Sequence, residues 1–82
     1  MHESVLIYKI LGEIKPKLTP EYSLKKVTLE VGEFSCVNTK TLTQLFNIAK
    51  KSTFAKNSKL NFSIIKDDFD IKLKSIEVNH EG

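Results

Sequence analysis

Met1-His2-Glu3 is the stretch of this 82-residue chain whose residue types could do chemistry together. A histidine in second position sets an α-amine, a backbone nitrogen and an imidazole where they close two fused chelate rings on one metal ion. Glu3 adds its carboxylate or its backbone nitrogen as a fourth donor. A planar set of nitrogen and oxygen donors suits Ni(II) or Cu(II). Ni(II) can promote loss of the amide proton, which Zn(II) rarely does. The chemistry requires a free amine, and the bulk of His2 is expected to keep Met1 in place. The plainer account is a histidine that follows the initiator by chance, so the tripeptide needs support from the rest of the chain.

Other residues that bear chemistry offer less. His80 reads as a solvated tail residue; it becomes a supplementary metal ligand, with Glu81, only if the closing strand ends near residue 1. Cys36 reads as a small buried thiol, since no histidine lies nearby in sequence to activate it as a nucleophile or to share a metal with it. Glu33 reads as a solvated carboxylate before a helix-approach or partner contact. Asp67-Asp68 suggests a turn before it suggests a cation site. Tyr8, Tyr22, Phe34 and Phe54 lack the paired spacing of a base-stacking platform and are assigned to packing. No nucleophile-base or acid-base pair is visible, so an enzyme is not expected.

Composition narrows the classes further. The length fits one small domain over residues 1–82 with one modest core. The formal charge of +3 comes from scattered lysines, and the chain has no arginine, the residue that forks onto phosphates and base edges. A nucleic-acid partner is therefore not expected; a small RNA-binding domain would also want a GXXG loop or paired strand aromatics. One cysteine rules out an internal disulfide and a cysteine-built zinc cage. The chain contains neither a membrane-spanning run nor a signal peptide, and a cytoplasmic protein is expected.

Five elements must carry these residues. Residues 4–15 have helical spacing, with Val5, Ile7 or Tyr8, Leu11 and Ile14 as the stripe, widened by Leu6 and Ile10. Ser4 is a candidate cap, and Pro16 stops or kinks the helix. After a connector over 16–24, Val27, Leu29 and Val31 alternate with polar residues in a strand over 26–33, where Gly32 allows a bend or a positive φ. Residues 38–53 form a second helix capped by Asn38 or Thr39, with Leu42, Leu45, Phe46 and Ala49 inward. Strands follow over 59–66 and 69–78. In the last, Phe69, Ile71 and Leu73 share one parity while Ile76 and Val78 take the other, which calls for a bulge near Lys74-Ser75. The helix between the first two strands makes a crossover, so these should run parallel. The last two are expected to form an antiparallel hairpin across Asp67-Asp68. The expected fold is α+β, a two-layer sandwich of three mixed strands with two helices on one face, in the order α-β-α-β-β. The last strand, exposed at the sheet edge, is also expected to allow pairing with a second copy.

These residues resemble a known family. Met1-His2-Glu3-Ser4 opening a helix is similar to the start of the HypA family, nickel metallochaperones of hydrogenase maturation. Val31-Gly32-Glu33-Phe34-Ser35, then Val37, Leu42 and Phe46, looks like that family's VGE-x-S-x-V…L…F segment. Thr53, Ala55, Leu60 and Phe62 continue it, and Ser75-Ile76-Glu77 resembles the closing strand. The resemblance implies a nickel metallochaperone for hydrogenase or urease maturation, with Met1, His2 and Glu3 as the nickel ligands. It also implies a HypB-type GTPase or a hydrogenase precursor as partner. One departure is large. The family carries a zinc module with two CxxC pairs between its last two strands, where this chain has Asp67-Asp68, so no zinc site is expected. Cys36 stands where relatives usually have Gly or Ala. The alternative role is a metal-independent adaptor or regulatory domain that docks on a maturation partner.

Overall fold

The computed structural model describes residues 3–80. Helix α1 spans Glu3–Ile14 and tightens into a 3-10 turn at Lys15–Lys17; strand β1 follows at Tyr22–Gly32. Helix α2 is Thr39–Ala49, extended by a 3-10 turn at Lys50–Ser52, and strands β2 (Lys59–Ile65) and β3 (Ile71–His80) complete the order α-β-α-β-β. Pro16 sits in the first positions of the 3-10 turn, where its missing N–H costs least, so the chain tightens there and then leaves the helix. Asn38 caps α2, its side-chain oxygen accepting from the Thr41 N–H at 3.1 Å.

The sheet order is β2-β1-β3, with β1 parallel to β2 and antiparallel to β3. The expected hairpin between the last two strands is therefore wrong: β1 lies between them. The apolar content explains the difference. Leu24, Val27, Leu29 and Val31 of β1 are all buried, whereas β2 and β3 have no fully buried residue. The strand with most to bury takes the centre. The 66–70 connection must then cross two strand spacings, about 9.5 Å, over the end of β1.

Gly32 makes that crossing feasible, and it does so through close approach where a positive φ was an expected alternative. A Cβ on Gly32 would lie 2.5 Å from the Asp68 carbonyl oxygen and 2.8 Å from the Phe69 nitrogen. The crossing chain is bonded to β1: Gly32 N–H donates to Asp70 O at 2.7 Å, and Phe34 N–H to Asp68 O at 2.8 Å. The positive φ angles fall on Cys36 (61°) and Asp67 (58°).

The parity slip in β3 resolves as anticipated. Thr28 pairs with Ser75 and Leu29 with Leu73, which leaves Lys74 as the extra residue of a bulge. Ile71 and Leu73 before it, and Ile76 after it, all pack against the core. A second shift between Leu24 and Lys26 leaves Lys25 unpaired on β1, which brings Leu24 to the buried face beside Val27.

Both helices cover one face of the sheet, which stays open on the other. From α1 come Leu6, Ile7, Ile10, Leu11 and Ile14, and from α2 come Leu42 and Phe46. Val5 and Tyr8 are exposed, so the α1 stripe is centred on Ile7 and Ile10 and excludes two residues assigned to it from spacing. The outer edge of β3 carries the bulge and the lysines Lys72 and Lys74, devices that discourage edge-to-edge pairing.

Candidate functional site

Of the three amino-terminal candidates, Met1 and His2 lie outside the described residues. Glu3 opens α1 and is partly buried. The surroundings of that helix end follow from how α1 lies on the sheet. The stretch between Lys17 and Tyr22 is short, so the carboxy-terminal end of α1 lies near the start of β1, where Lys15 and Leu18 border a depression with Tyr22 and Ser23. The first turn of α1 therefore points toward the end where β1 finishes.

Topology collects carboxylates at that end. Glu33 follows β1, and Asp67, Asp68 and Asp70 sit in the crossing connection. Glu33 Oε1 accepts from the Asp67 N–H at 3.1 Å and so pins the connection from a residue far away in sequence. Glu33 is exposed, as a solvated carboxylate should be, and this bond adds a structural role. Asp67 occupies the left-handed turn position, which Asp tolerates better than most residues, in keeping with the turn reading of Asp67-Asp68. Phe34 and Phe69 stack loosely above the connection, ring centroids 5.4 Å apart, and both are largely exposed. Phe69 thus lies outside β3 and outside the core, against the sequence expectation.

Cys36 is also at this end, just before the Asn38 cap, but it is exposed rather than buried. Its thiol points to Phe34 O at 3.7 Å. Its left-handed backbone, φ 61°, is a conformation that glycine adopts at lower cost. Among the described residues, no three His, Cys, Asp or Glu side chains come together to hold a metal.

His80 lies at the other end of the molecule. It pairs with Tyr22, the first residue of β1, and its ring meets the Tyr22 ring edge-on at 5.1 Å. The full length of α1, about 18 Å, separates that end from Glu3. The closing strand thus ends away from Glu3; residue 1, on which the supplementary-ligand reading of His80 turns, lies outside the described residues. Among the described residues, the carboxyl group with a clear shift is Glu77, held below its ordinary pKa by a hydrogen bond from Lys26 and by that ammonium's charge; the two meet at 3.0 Å on the open face of the sheet. It is remote from the amino-terminal end.

The described side chains at the end toward which Glu3 points do not by themselves form a cage for a metal ion. The donors singled out in the sequence are the backbone nitrogens and imidazole of the first residues. The model of the family described as "Hydrogenase/urease nickel incorporation, metallochaperone, hypA" matches residues 1–75. The fold is similar to the solution structure of the Ni metallochaperone HypA from Helicobacter pylori, with a TM-score of 0.68 and 15% identity over 92% of this chain and 72% of that one. No curated protein sequence matches. Among the described residues, no helix is long and apolar enough to cross a membrane.

Proposed function

The chain belongs to the HypA family of hydrogenase/urease nickel-incorporation metallochaperones, and from that premise we propose that it takes up Ni(II) as cargo at its amino terminus. The Met1 amine, the His2 backbone nitrogen and the His2 imidazole supply three donors, and Glu3 supplies the fourth. The observation that carries the reading is the family match, which includes residues 1–3. The fold supports it, because α1 presents Glu3 at the end that bears Glu33, Asp67, Asp68 and Asp70. The work is ligand exchange: nickel is held by donors that protonate readily and passes to a receiving site on a HypB-type GTPase or an enzyme precursor. Binding weakens below about pH 6, where imidazole takes up a proton. The setting proposed is the cytoplasm, where a lone exposed thiol stays reduced.

The family's zinc module has no counterpart in these residues. One cysteine cannot furnish two CxxC pairs, and the 66–70 connection is bonded tightly across β1. No step is assigned to zinc.

Calorimetric titration with nickel tests the proposal on three proteins: the chain with a native amino terminus, its His2→Ala variant and an amino-terminally acetylated form. One equivalent bound by the first and at least tenfold weaker binding by the others is expected. Equal binding by all three would remove the amino-terminal site. A pull-down of maturation partners that is indifferent to chelator, from a chain that takes up no nickel, would favour the adaptor role.

A further inference from the structure

The end of the molecule opposite Glu3 has a different character. Two shallow depressions meet there, one bordered by Tyr8, Leu11, Gly12 and Phe54, the other by Leu18, Pro20, Tyr22 and Phe54; Lys15 and Phe54 belong to both. They form one groove along the C-terminal half of α1. Its floor is aliphatic and aromatic, and Tyr8 and Tyr22 form exposed walls.

Charge surrounds the groove unevenly. The segments 13–22 and 50–59 that flank it carry Lys15, Lys17, Lys50, Lys51, Lys56 and Lys59 against Glu13 and Glu21. Lys50 is engaged, donating to Ser58 O at 2.6 Å and lying over the Phe46 ring. Among the described residues, the ammonium groups of Lys15, Lys17, Lys51 and Lys56 have no carboxylate within ion-pair distance; the ion pair seen is Lys26–Glu77. Lysines in the last turns of two helices offset the helix dipoles, which accounts for some of this charge. Helix dipoles do not account for an apolar groove lined by residues of both lysine-rich segments, with Lys15 bordering each of its two parts.

We propose that this groove docks an acidic segment of a partner protein, one or two apolar side chains entering the groove while flanking carboxylates meet Lys15, which borders both depressions, and Lys51, next to Ser52 on the rim. Charge complementarity selects an acidic partner and steers its approach. The apolar floor favours a polypeptide over a nucleic acid: Leu11 and Leu18 give aliphatic contact where stacked bases need aromatic faces, and arginine is absent from the chain. The placement leaves the Glu3 end uncovered, so a partner can hold the protein while its amino terminus stays accessible. The proposal goes beyond the nickel reading and does not depend on it, and its test needs no metal.

The test is a fluorescence-anisotropy titration of the full chain with a labelled peptide of eight glutamates interrupted by one leucine and one phenylalanine. The charge-reversed K15E/K51E protein and amide-shift mapping serve as comparisons. Expected are saturable binding, amide shifts confined to residues near Leu11, Leu18, Tyr22 and Phe54, and at least tenfold weaker binding by K15E/K51E with its spectrum otherwise unchanged. A peptide with the same glutamates but with serines in place of the two apolar residues should bind at least fivefold more weakly. Absence of binding, equal binding by K15E/K51E, or shifts clustered at the Glu33 and Asp67 end would overturn the proposal. Displacement of the peptide by lower concentrations of a single-stranded RNA, or of phosphatidylserine vesicles, would overturn it in favour of that ligand.

Discussion

Replacing Gly32 by alanine tests the physical reason for the strand order. The new Cβ would stand 2.5 Å from Asp68 O, 2.6 Å from Asp68 C and 2.8 Å from Phe69 N, all backbone atoms that no rotamer change can move. Carbon contacts are comfortable at about 3.5 Å, so the connection must retreat by roughly 1 Å. That movement stretches two hydrogen bonds, Gly32 N–H to Asp70 O at 2.7 Å and Phe34 N–H to Asp68 O at 2.8 Å. Each contributes about 1 kcal/mol, and the Gly32 donor, which is buried where Phe34 is exposed, costs about 1 kcal/mol more when left unpaired. Alanine returns about 0.4–1 kcal/mol by restricting the unfolded chain. The net loss is about 2 kcal/mol, a large share of the roughly 4–12 kcal/mol available to a chain of this size. Urea unfolding followed by circular dichroism should show a lower midpoint at unchanged slope, and Tm should fall by about 10 °C. Gly12 is the control: nothing lies within 4 Å of a Cβ there, and it sits within α1. Gly12→Ala should therefore stabilise by about 0.5–1 kcal/mol. A Gly32→Ala protein within about 0.5 kcal/mol of wild type would refute the account of the crossing.

Other expectations follow from single contacts. Asn38→Ala removes the α2 cap, seen as the 3.1 Å bond to Thr41 N–H, and should cost about 1 kcal/mol in the same unfolding assay, with Asn38→Asp close to neutral. Glu77 has a folded pKa below its unfolded one because of Lys26. Its contribution is therefore present at neutral pH and is lost as pH falls below about 4.3 toward the depressed value. Lys26→Gln should flatten that acid limb of the stability-pH curve. The group is on the surface, so the difference should be small and should shrink further in high salt.

Much of the fold could be read from local pattern. The Asn38 cap, the Leu42 and Phe46 stripe, and the alternation in β1 each follow from short-range chemistry, and the structure keeps all three. The bulge at Lys74 was readable as well, because a sheet with one covered face cannot accept a change of parity without one. Strand order was not readable. Asp67-Asp68 looks like a hairpin turn, and nothing local shows that β1 has more apolar surface to bury and displaces β2 from β3. The role of Gly32 was hidden for the same reason, since the backbone it admits arrives from residues 66–70. At the functional end, the chelating character of the first residues is a property of residue type and needs no fold. The gathering of Glu33 with Asp67 and Asp68, and the removal of His80 to the far end, are products of topology. The exposed thiol of Cys36 reflects its left-handed backbone, φ 61°, which composition alone does not reveal.

Nickel uptake by the untagged chain with a free amino terminus, followed by absorption and by amide shifts near neutral pH, tests the central claim most directly. The account predicts one equivalent of planar Ni(II), proton release on binding, and shifts confined to Glu3 and the first turn of α1, with His80 unmoved. No uptake at equimolar metal, or uptake that perturbs His80 and leaves the first turn unchanged, would contradict it.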